Sequence, residues 1–332
     1  MIISRTPFRI SFFGGGTDYP VWYREHGGSV LATSINKYCY ITCRYLPPFF
    51  KHKHRIVYSK MEHTKTISEI QHLSARETLN FMNIDRGVEI HHDGDLPART
   101  GLGSSSAFTV GLLNTLYALK GKMVTMRQLA LDAIHIEQDL IKENVGSQDQ
   151  TSAAFGGFNK IEFGGEQQIQ VSPITINSRK LQLLQDNLML FFTGFSRTAS
   201  EIAGEQIKQT PNKKNELNQM LEMVDDAVSI LNRSDSDITD FGRLLHESWL
   251  IKRSLTDKIS NQHIDNIYEE AINAGALGGK LLGAGGGGFV LFFVEPEFQS
   301  KVREKLRNLL YVPFKFESLG SQIIYYVPQN DF

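Results

Sequence analysis

Cysteine is nearly absent from this chain: Cys39 and Cys43 are the only two in 332 residues. Both sit in an apolar, aromatic-rich run that reads as a strand, where a spacing of four puts them on one face. Along an extended strand they are too far apart to bridge each other. Packing, not metal binding, is the role they fit, and a reducing compartment goes with it. Long apolar runs are missing too. The longest, Phe289 to Val294, is far too short to cross a bilayer. Met1 to Pro7 lacks the apolar core of a signal peptide. Neither charge sign is in excess: 35 Lys and Arg face 36 Asp and Glu, a net charge of -1. Nothing there draws the chain to nucleic acid or to an anionic membrane, although a local basic clamp stays open. There is no internal repeat and no disordered tail. The expectation is a cytoplasmic protein with neither nucleic acid nor membrane as partner, its homo-oligomerisation left open.

What is present describes an ordinary globular chain, 41% apolar and 21% charged, long enough for about two domains. Strands are predicted over 8–13, 29–34, 37–45 and 88–91, rich in β-branched and aromatic residues. Pro47-Pro48 ends the third, and the polar, basic stretch 50–63 reads as an exposed hairpin or loop. One helix starts near Ser104 with Val110, Leu113 and Tyr117 on one face. A second spans roughly 126–143, with a stripe at Leu129, Ala133, Ile136 and Leu140. Glu137 lies at the edge of that stripe, about 40° round from Ala133. After Gly146 the chain reads as a turn through Ser147-Gln148-Asp149-Gln150, then passes Gly156-Gly157 into a strand over 158–163. The segment 164–179 is the best domain seam, which gives domains 1–175 and 176–332. Beyond it come a strand at 188–192, helices near 214–231, 238–249 and 264–272, a strand at 289–294, a helix from Pro296, and strands at 312–316 and 323–327.

The richest chemistry lies in Leu96-Pro97-Ala98-Arg99-Thr100-Gly101-Leu102-Gly103-Ser104-Ser105-Ser106-Ala107. A proline-led turn runs through two glycines and three serines into an apolar helix. Glycine lets the backbone approach a ligand closely, and the first helical turn leaves N–H groups unpaired at the positive end of its dipole. That is an anion seat, and the serine hydroxyls add donors and a candidate magnesium ligand. Serine and glycine also serve as a plain helix cap after a tight turn; two further glycine-rich stretches elsewhere in the chain favour a triphosphate loop. Two look-alikes fail. Gly283-x-Gly285-x-x-Gly288 matches a dinucleotide fingerprint as a string, but it precedes a strand instead of following one. Gly278-Gly279-Lys280 resembles the end of a Walker motif, but Ala274 and Leu281 break it.

Three stretches together resemble one family. Pro7-Phe8-Arg9-Ile10-Ser11-Phe12-Phe13-Gly14-Gly15-Gly16-Thr17-Asp18-Tyr19 is similar to the first motif of the GHMP small-molecule kinases. Pro97 to Ala107 resembles the second motif, the ATP phosphate loop, and Lys280 to Phe289 the third. Order and spacing match, so the resemblance covers essentially the whole chain. The Gly-Gly-Gly-Thr-Asp-Tyr run resembles the D-glycero-D-manno-heptose 7-phosphate kinase branch. So do Gly146-Ser147-Gln148-Asp149-Gln150 with Ala153 to Asn159, and Thr193-Gly194-Phe195-Ser196-Arg197. Fucose kinase domains carry a similar Gly-Gly-Thr-Asp stretch.

The resemblance implies an α+β, two-domain GHMP kinase fold, with a ribosomal-S5-like N-terminal ATP-binding domain, a ferredoxin-like C-terminal domain and the active site in the cleft between them. It implies ATP and magnesium. Pro97, Gly101, Leu102, Gly103, Ser104, Ser105 and Ser106 would hold ATP, with Ser105, Ser106 and Glu137 on the metal. Asp149 is the catalytic base implied for the sugar hydroxyl. Arg9 would hold Asp149 ionised and stabilise charge on the transferring phosphoryl. Gly15, Gly16, Thr17 and Asp18 would meet the sugar, Asp18 by accepting from its hydroxyls, with Gly286 and Gly287 closing from the second domain. For a substrate that already bears a phosphate, Arg197 is a candidate cation. Arg24, Lys37 and the Lys51-His52-Lys53-His54-Arg55 cluster are others. The leading expectation is ATP-dependent phosphorylation of the anomeric hydroxyl of a heptose 7-phosphate. The alternatives are a kinase for fucose or another hexose, and a non-catalytic sugar sensor on the same scaffold.

Overall fold

The computed structural model describes residues 1–164, 169–194, 199–233 and 235–328. Its first half is built on two long strands. β1 (Ile2–Phe13) and β2 (Gly28–Tyr45) pair antiparallel, joined by α1 (Pro20–His26). Their register slips next to Pro7, where a missing N–H fits a break in the ladder. The basic stretch expected as a hairpin or loop is the hairpin β3 (His54–Val57) and β4 (Met61–Thr64). Next come α2 (Leu73–Phe81) and β5 (Val88–Gly94), which pairs with β2. α3 (Ser104–Leu119) is buried without a break from Ser106 to Leu113. An apolar helix enclosed on all sides fits that position, between the sheet and other helices. Gly111 lets it approach β1, where Ser4 Oγ donates to the Gly111 carbonyl at 2.9 Å.

The single helix expected over 126–143 is instead α4 (Met126–Ile134) followed by a π-helical turn, His135–Leu140. Leu129, Ala133 and Ile136 of the expected stripe are buried, but Leu140 is 40% exposed. The wider turn swings the positions after Ile136 out of α-helical phase. The turn expected at 147–150 is the start of α5 (Gln148–Phe155). The hairpin β6 (Phe158–Phe163) and β7 (Ile169–Pro173) then joins the first half of β2.

The second half runs α6 (Ser178–Asp186), β8 (Leu188–Gly194), α7 (Ala199–Gln209), α8 (Lys214–Asn232), α9 (Thr239–Ser254) and α10 (Gln262–Asn273). It continues through β9 (Ala276–Leu281), β10 (Gly288–Val294), α11 (Pro296–Lys305), β11 (Leu310–Tyr311), β12 (Phe316–Glu317) and β13 (Gln322–Tyr326). Strands β11, β8, β10 and β9 form a second, antiparallel sheet in that order. The architecture is thus the expected α+β pair of sheets with helical layers. β12 and β13 return to the first sheet, where β13 flanks β1 and β12 pairs with β2. The partition at residue 175 that we propose therefore leaves the last strands with the N-terminal sheet. No described helix is long and apolar enough to cross a membrane.

Candidate active site

The loop between β5 and α3 is held in shape by its own polar groups. Arg99 and Gly101 have φ of 61° and 86°, and the helix opens on Gly103 at φ 74°. Ser104 Oγ accepts from the Arg99 N–H at 3.0 Å, and Thr100 Oγ1 donates to the Pro97 carbonyl at 2.8 Å. Pro97 is exposed, and Leu102 is buried in the core. Among the described residues, no protein acceptor meets the main-chain N–H groups of residues 101 to 106. Six donors at the positive end of a sixteen-residue helix are left for an anion. A side chain at Gly103 would press against Arg9 Cγ at 3.2 Å and Asp149 Oδ2 at 3.5 Å. The loop therefore sits directly on those two groups.

Arg9 ties the loop to the carboxylate. Its Nε and Nη2 each lie 2.8 Å from Asp149 Oδ1, and its Nη1 donates to the Gly101 carbonyl at 2.8 Å. The Arg9 side chain is 5% exposed and that of Asp149 17%, so the carboxylate keeps an open edge. Next to it, Asp18 is buried, accepting from the Gly16 N–H at 2.9 Å and from the Gln148 N–H at 3.4 Å. Burial pushes its pKa up, the Gly16 N–H opposes that, and the Asp149 charge adds to it. Gly15 lies close by: a Cβ there would be 3.7 Å from both Gln148 Nε2 and Ser11 Oγ. Thr17 departs from the expectation. Its hydroxyl donates to the Gly14 and Ser29 carbonyls at 2.8 and 2.9 Å and accepts from the Ser29 N–H at 3.1 Å. With no exposed surface, it is spent on holding the turn and has nothing left for a sugar.

Glu137 was expected at the edge of an amphipathic stripe. The π-helical turn instead buries it completely, at 0% exposure. Its Oε2 accepts from Ser106 Oγ at 2.8 Å and from the Gln150 amide. Burial lifts its pKa to about 7 in spite of those donors. Its Oε1 is buried and makes no hydrogen bond of normal geometry among the described residues, although the Thr109 hydroxyl is near enough to favour the charged form. An orphaned carboxylate oxygen beside the hydroxyl that opens α3 fits a hard divalent cation shared with phosphate oxygens. Ser105, next in the loop, is exposed.

The second half brings its glycine loop onto the phosphate loop. A Cβ at Gly283 would lie 2.4 Å from Gly101 Cα, and one at Gly288 2.4 Å from the Thr100 carbonyl oxygen. The Phe289 N–H donates to that carbonyl at 3.2 Å. Gly286 spends its N–H on the Ile259 carbonyl at 2.9 Å, and Gly287 is half-buried beside it. Arg197 lies outside the described residues. Arg24 is exposed on α1. Arg55 is committed to Glu89, which also pairs with Arg44 and His91. Burial works against that carboxylate, but its hydrogen bonds from His91, Arg44 and Arg55 hold it at about 2.

Two functional candidates escaped the sequence reading. Lys252 on α9 and Lys280 on β9 are both buried. Lys252 Nζ donates to the Gly283 carbonyl, and Lys280 Nζ to the Phe12 carbonyl at 2.6 Å. The available signal was a lysine inside the apolar run Trp249-Leu250-Ile251-Lys252 and another as the first residue of the third motif.

Free amides at a helix start, set directly against a carboxylate and an arginine and met by a glycine loop from the second half, define a phosphotransferase of small molecules. The model of the GHMP kinases N terminal domain matches residues 65–157, and that of the GHMP kinases C terminal domain matches 225–312. The chain belongs to the GHMP kinase family. It is 28% identical to a D-glycero-alpha-D-manno-heptose 7-phosphate kinase of Campylobacter jejuni, over 92% of this chain and 93% of the relative. It is 23% identical to a bifunctional fucokinase/GDP-fucose pyrophosphorylase of Arabidopsis thaliana, over 91% of this chain and 31% of that larger protein. The solved D-glycero-D-manno-heptose 1-phosphate kinase of Bacteroides thetaiotaomicron superposes with a TM-score of 0.73. That structure is 24% identical, and the match covers 98% of this chain and all of that one, 100%.

Proposed function

We propose that this enzyme transfers the γ-phosphoryl group of ATP to the anomeric hydroxyl of D-glycero-D-manno-heptose 7-phosphate, giving the 1,7-bisphosphate and ADP. One observation carries the reading: the Arg9 guanidinium bridges Asp149 and the Gly101 carbonyl. A single side chain thus sets the acceptor's base against the donor's loop. Phosphoryl transfer needs mainly such positioning and charge neutralisation. The amides of residues 101 to 106 hold the triphosphate. The sugar oxygen forms a bond to the γ-phosphorus, its proton passes to Asp149 Oδ2, and the bond to the β,γ-bridging oxygen breaks with its electron pair leaving on ADP. Asp18 accepts from a neighbouring sugar hydroxyl, and Arg9 meets the charge that develops on the phosphoryl oxygens. Magnesium, when bound with the nucleotide, would neutralise phosphate charge, and Glu137, Ser106 and Ser105 would hold it. Gly15, Gly16, Gly286 and Gly287 line the acceptor side, and Arg197 is the cation we assign to a phosphate already on the sugar.

The likeness to a fucokinase favours a second reading, a kinase for fucose or another hexose. A coupled ADP-release assay separates the two, run with heptose 7-phosphate, fucose, galactose and mannose and with product linkage read by NMR. Turnover on heptose 7-phosphate with a new anomeric phosphate is expected. Preference for fucose replaces the first reading with the second. No ADP from any sugar removes both and leaves a sugar-binding sensor.

A further inference from the structure

We propose that Lys252 is a further catalytic residue: its ammonium, held where the two glycine-rich loops meet, donates to a non-bridging oxygen of the phosphoryl group in transit. This rests on the phosphoryl-transfer reading above. Lys252 is 6% exposed, and among the described residues its one hydrogen-bond partner is the Gly283 carbonyl. An ammonium carries three donors. Two are therefore unspent in a place shielded from water, which is costly unless a ligand meets them. A lysine kept only for packing would direct those donors to protein.

Its position says what the ligand is. Gly283 lies against Gly101, and Gly101 receives Arg9. Lys252 and Arg9 thus reach the same point of the phosphate loop, one from each half of the molecule. Its ammonium sits at the contact between the two loops, on the carbonyl of Gly283, the residue that abuts Gly101. Lys280 is tied to β1 through the Phe12 carbonyl. Lys252 and Lys280 thus add two buried cations to the Arg9–Asp149 ion pair and the buried Asp18. The excess is of the sign that a phosphoryl group, gaining charge as it leaves ADP, requires. Among the described residues Lys280 also meets one acceptor, but it belongs to β1, whereas that of Lys252 belongs to the glycine loop that abuts the phosphate loop.

The experiment compares Lys252→Met, which keeps the stem and removes the charge, with Lys252→Gln and Lys252→Arg. Loss of one fixed donor to transition-state charge should lower kcat by roughly 10²–10³-fold in Met and Gln. KM for ATP and for the sugar should stay within about threefold, as for an interaction made only in the transition state. Arg should recover at least about tenfold of the loss, since it restores the charge. The melting temperature of Met should hold or rise, because a buried cation with unmet donors has gone. A second readout needs no turnover: the affinity for ADP with aluminium fluoride, a mimic of the phosphoryl group in flight. It should fall in Met by roughly tenfold or more, with ADP alone held within about threefold.

A kcat for Met or Gln within threefold of the parent overturns the proposal, and Gln decides if Met fails to fold. So does a lowered melting temperature in all three variants with ADP and analogue affinities falling together, the mark of a structural lysine. A parent enzyme inert toward every sugar sinks the sugar-kinase reading instead, and the analogue measurement still decides Lys252.

Discussion

A single guanidinium, that of Arg9, lies between the Asp149 carboxylate and the phosphate loop, so neither can shift without the other. Removing the carboxylate's basicity while keeping its shape separates chemistry from positioning. Asp149→Asn should lower kcat by roughly 10²–10⁴-fold, the usual range for a general base. Its ATP affinity, measured by calorimetry, should stay within about threefold, because the amides of 101 to 106 are untouched. A variant with parental kcat would show that Asp149 takes no part. Lys252 adds a pH signature. Burial is the main reason its pKa is lowered to about 8 from 10.5; Arg9 adds to the shift, while Asp18 and Asp149 oppose it, and Lys280 faces it from β9. The ammonium is the active form, so kcat/KM should fall as pH rises through about 8, in a limb that reports the free enzyme. Lys252→Arg should hold its activity above that point, since a guanidinium keeps its proton. Stability should move the other way. Between about 8 and 10.5 the unfolded chain binds the proton that the folded one has lost, so this lysine's contribution to stability rises with pH across that window. A kcat/KM profile of the parent enzyme flat to high pH would remove Lys252 from the reaction.

At the scale of elements, what the sequence reveals depends on the range of the forces involved. The start of α3, the glycine loops and most of β1 and β2 are local patterns and were legible, although β1 was read only from residue 8 and the single strand β2 as two, 29–34 and 37–45. Asp18, Asp149, Arg9 and the phosphate loop were legible as motif positions. Glu137 was named by resemblance, but its complete burial was not read, because a π-helical turn is one extra residue in a ladder and leaves no mark on an apolar stripe. Thr17 was misread because one of its partners, Ser29, meets it only after α1 folds back, completing a turn that Gly14 begins locally. Lys252 and Lys280 acquire meaning only when α9 and β9 close on β1. The glycines of 283–288 show the same dependence. Their spacing looked like a ligand loop, and part of the reason for it is contact between loops. Gly283→Ala would put a methyl 2.4 Å from Gly101 Cα, where neither backbone can yield cheaply. The two loops should separate, and KM for ATP should rise by roughly tenfold or more, as loss of substrate positioning does. Gly121→Ala is the control: φ is 66° there too, but the added methyl meets nothing within 4 Å. It should cost about 1 kcal/mol or somewhat more of stability in a denaturant titration, the expense of a left-handed alanine, with kinetics unchanged. Equal kinetics for the two variants would mean that the loop contact does not position ATP.

The whole molecule is more continuous than two domains on a string. β13 pairs with β1 and β12 with β2, so the chain's last strands sit in its first sheet. One apolar core runs through both halves, holding Phe8, Ile10 and Phe12 of β1 together with Leu190, Val224, Phe241 and Phe293. Phe241 on α9 meets Phe12 and Phe13 edge-on, with ring centroids at 5.4 and 5.1 Å. Buried aromatic pairs of this kind couple elements beyond the area they cover. A shared core and a strand exchanged between sheets remove the usual reason for domains to melt apart. The site gains from the same continuity, because Lys252 and Gly283 from one half must stay registered on Gly101 and Arg9 from the other. Unfolding should therefore be one cooperative transition, with calorimetric and van't Hoff enthalpies equal. Residues 1–175 expressed alone should be insoluble, because β1 would lose its β13 neighbour and expose an apolar edge. Two resolved transitions, or a soluble folded fragment 1–175, would show that the halves are independent and that the cleft between them is held by the site's polar contacts alone.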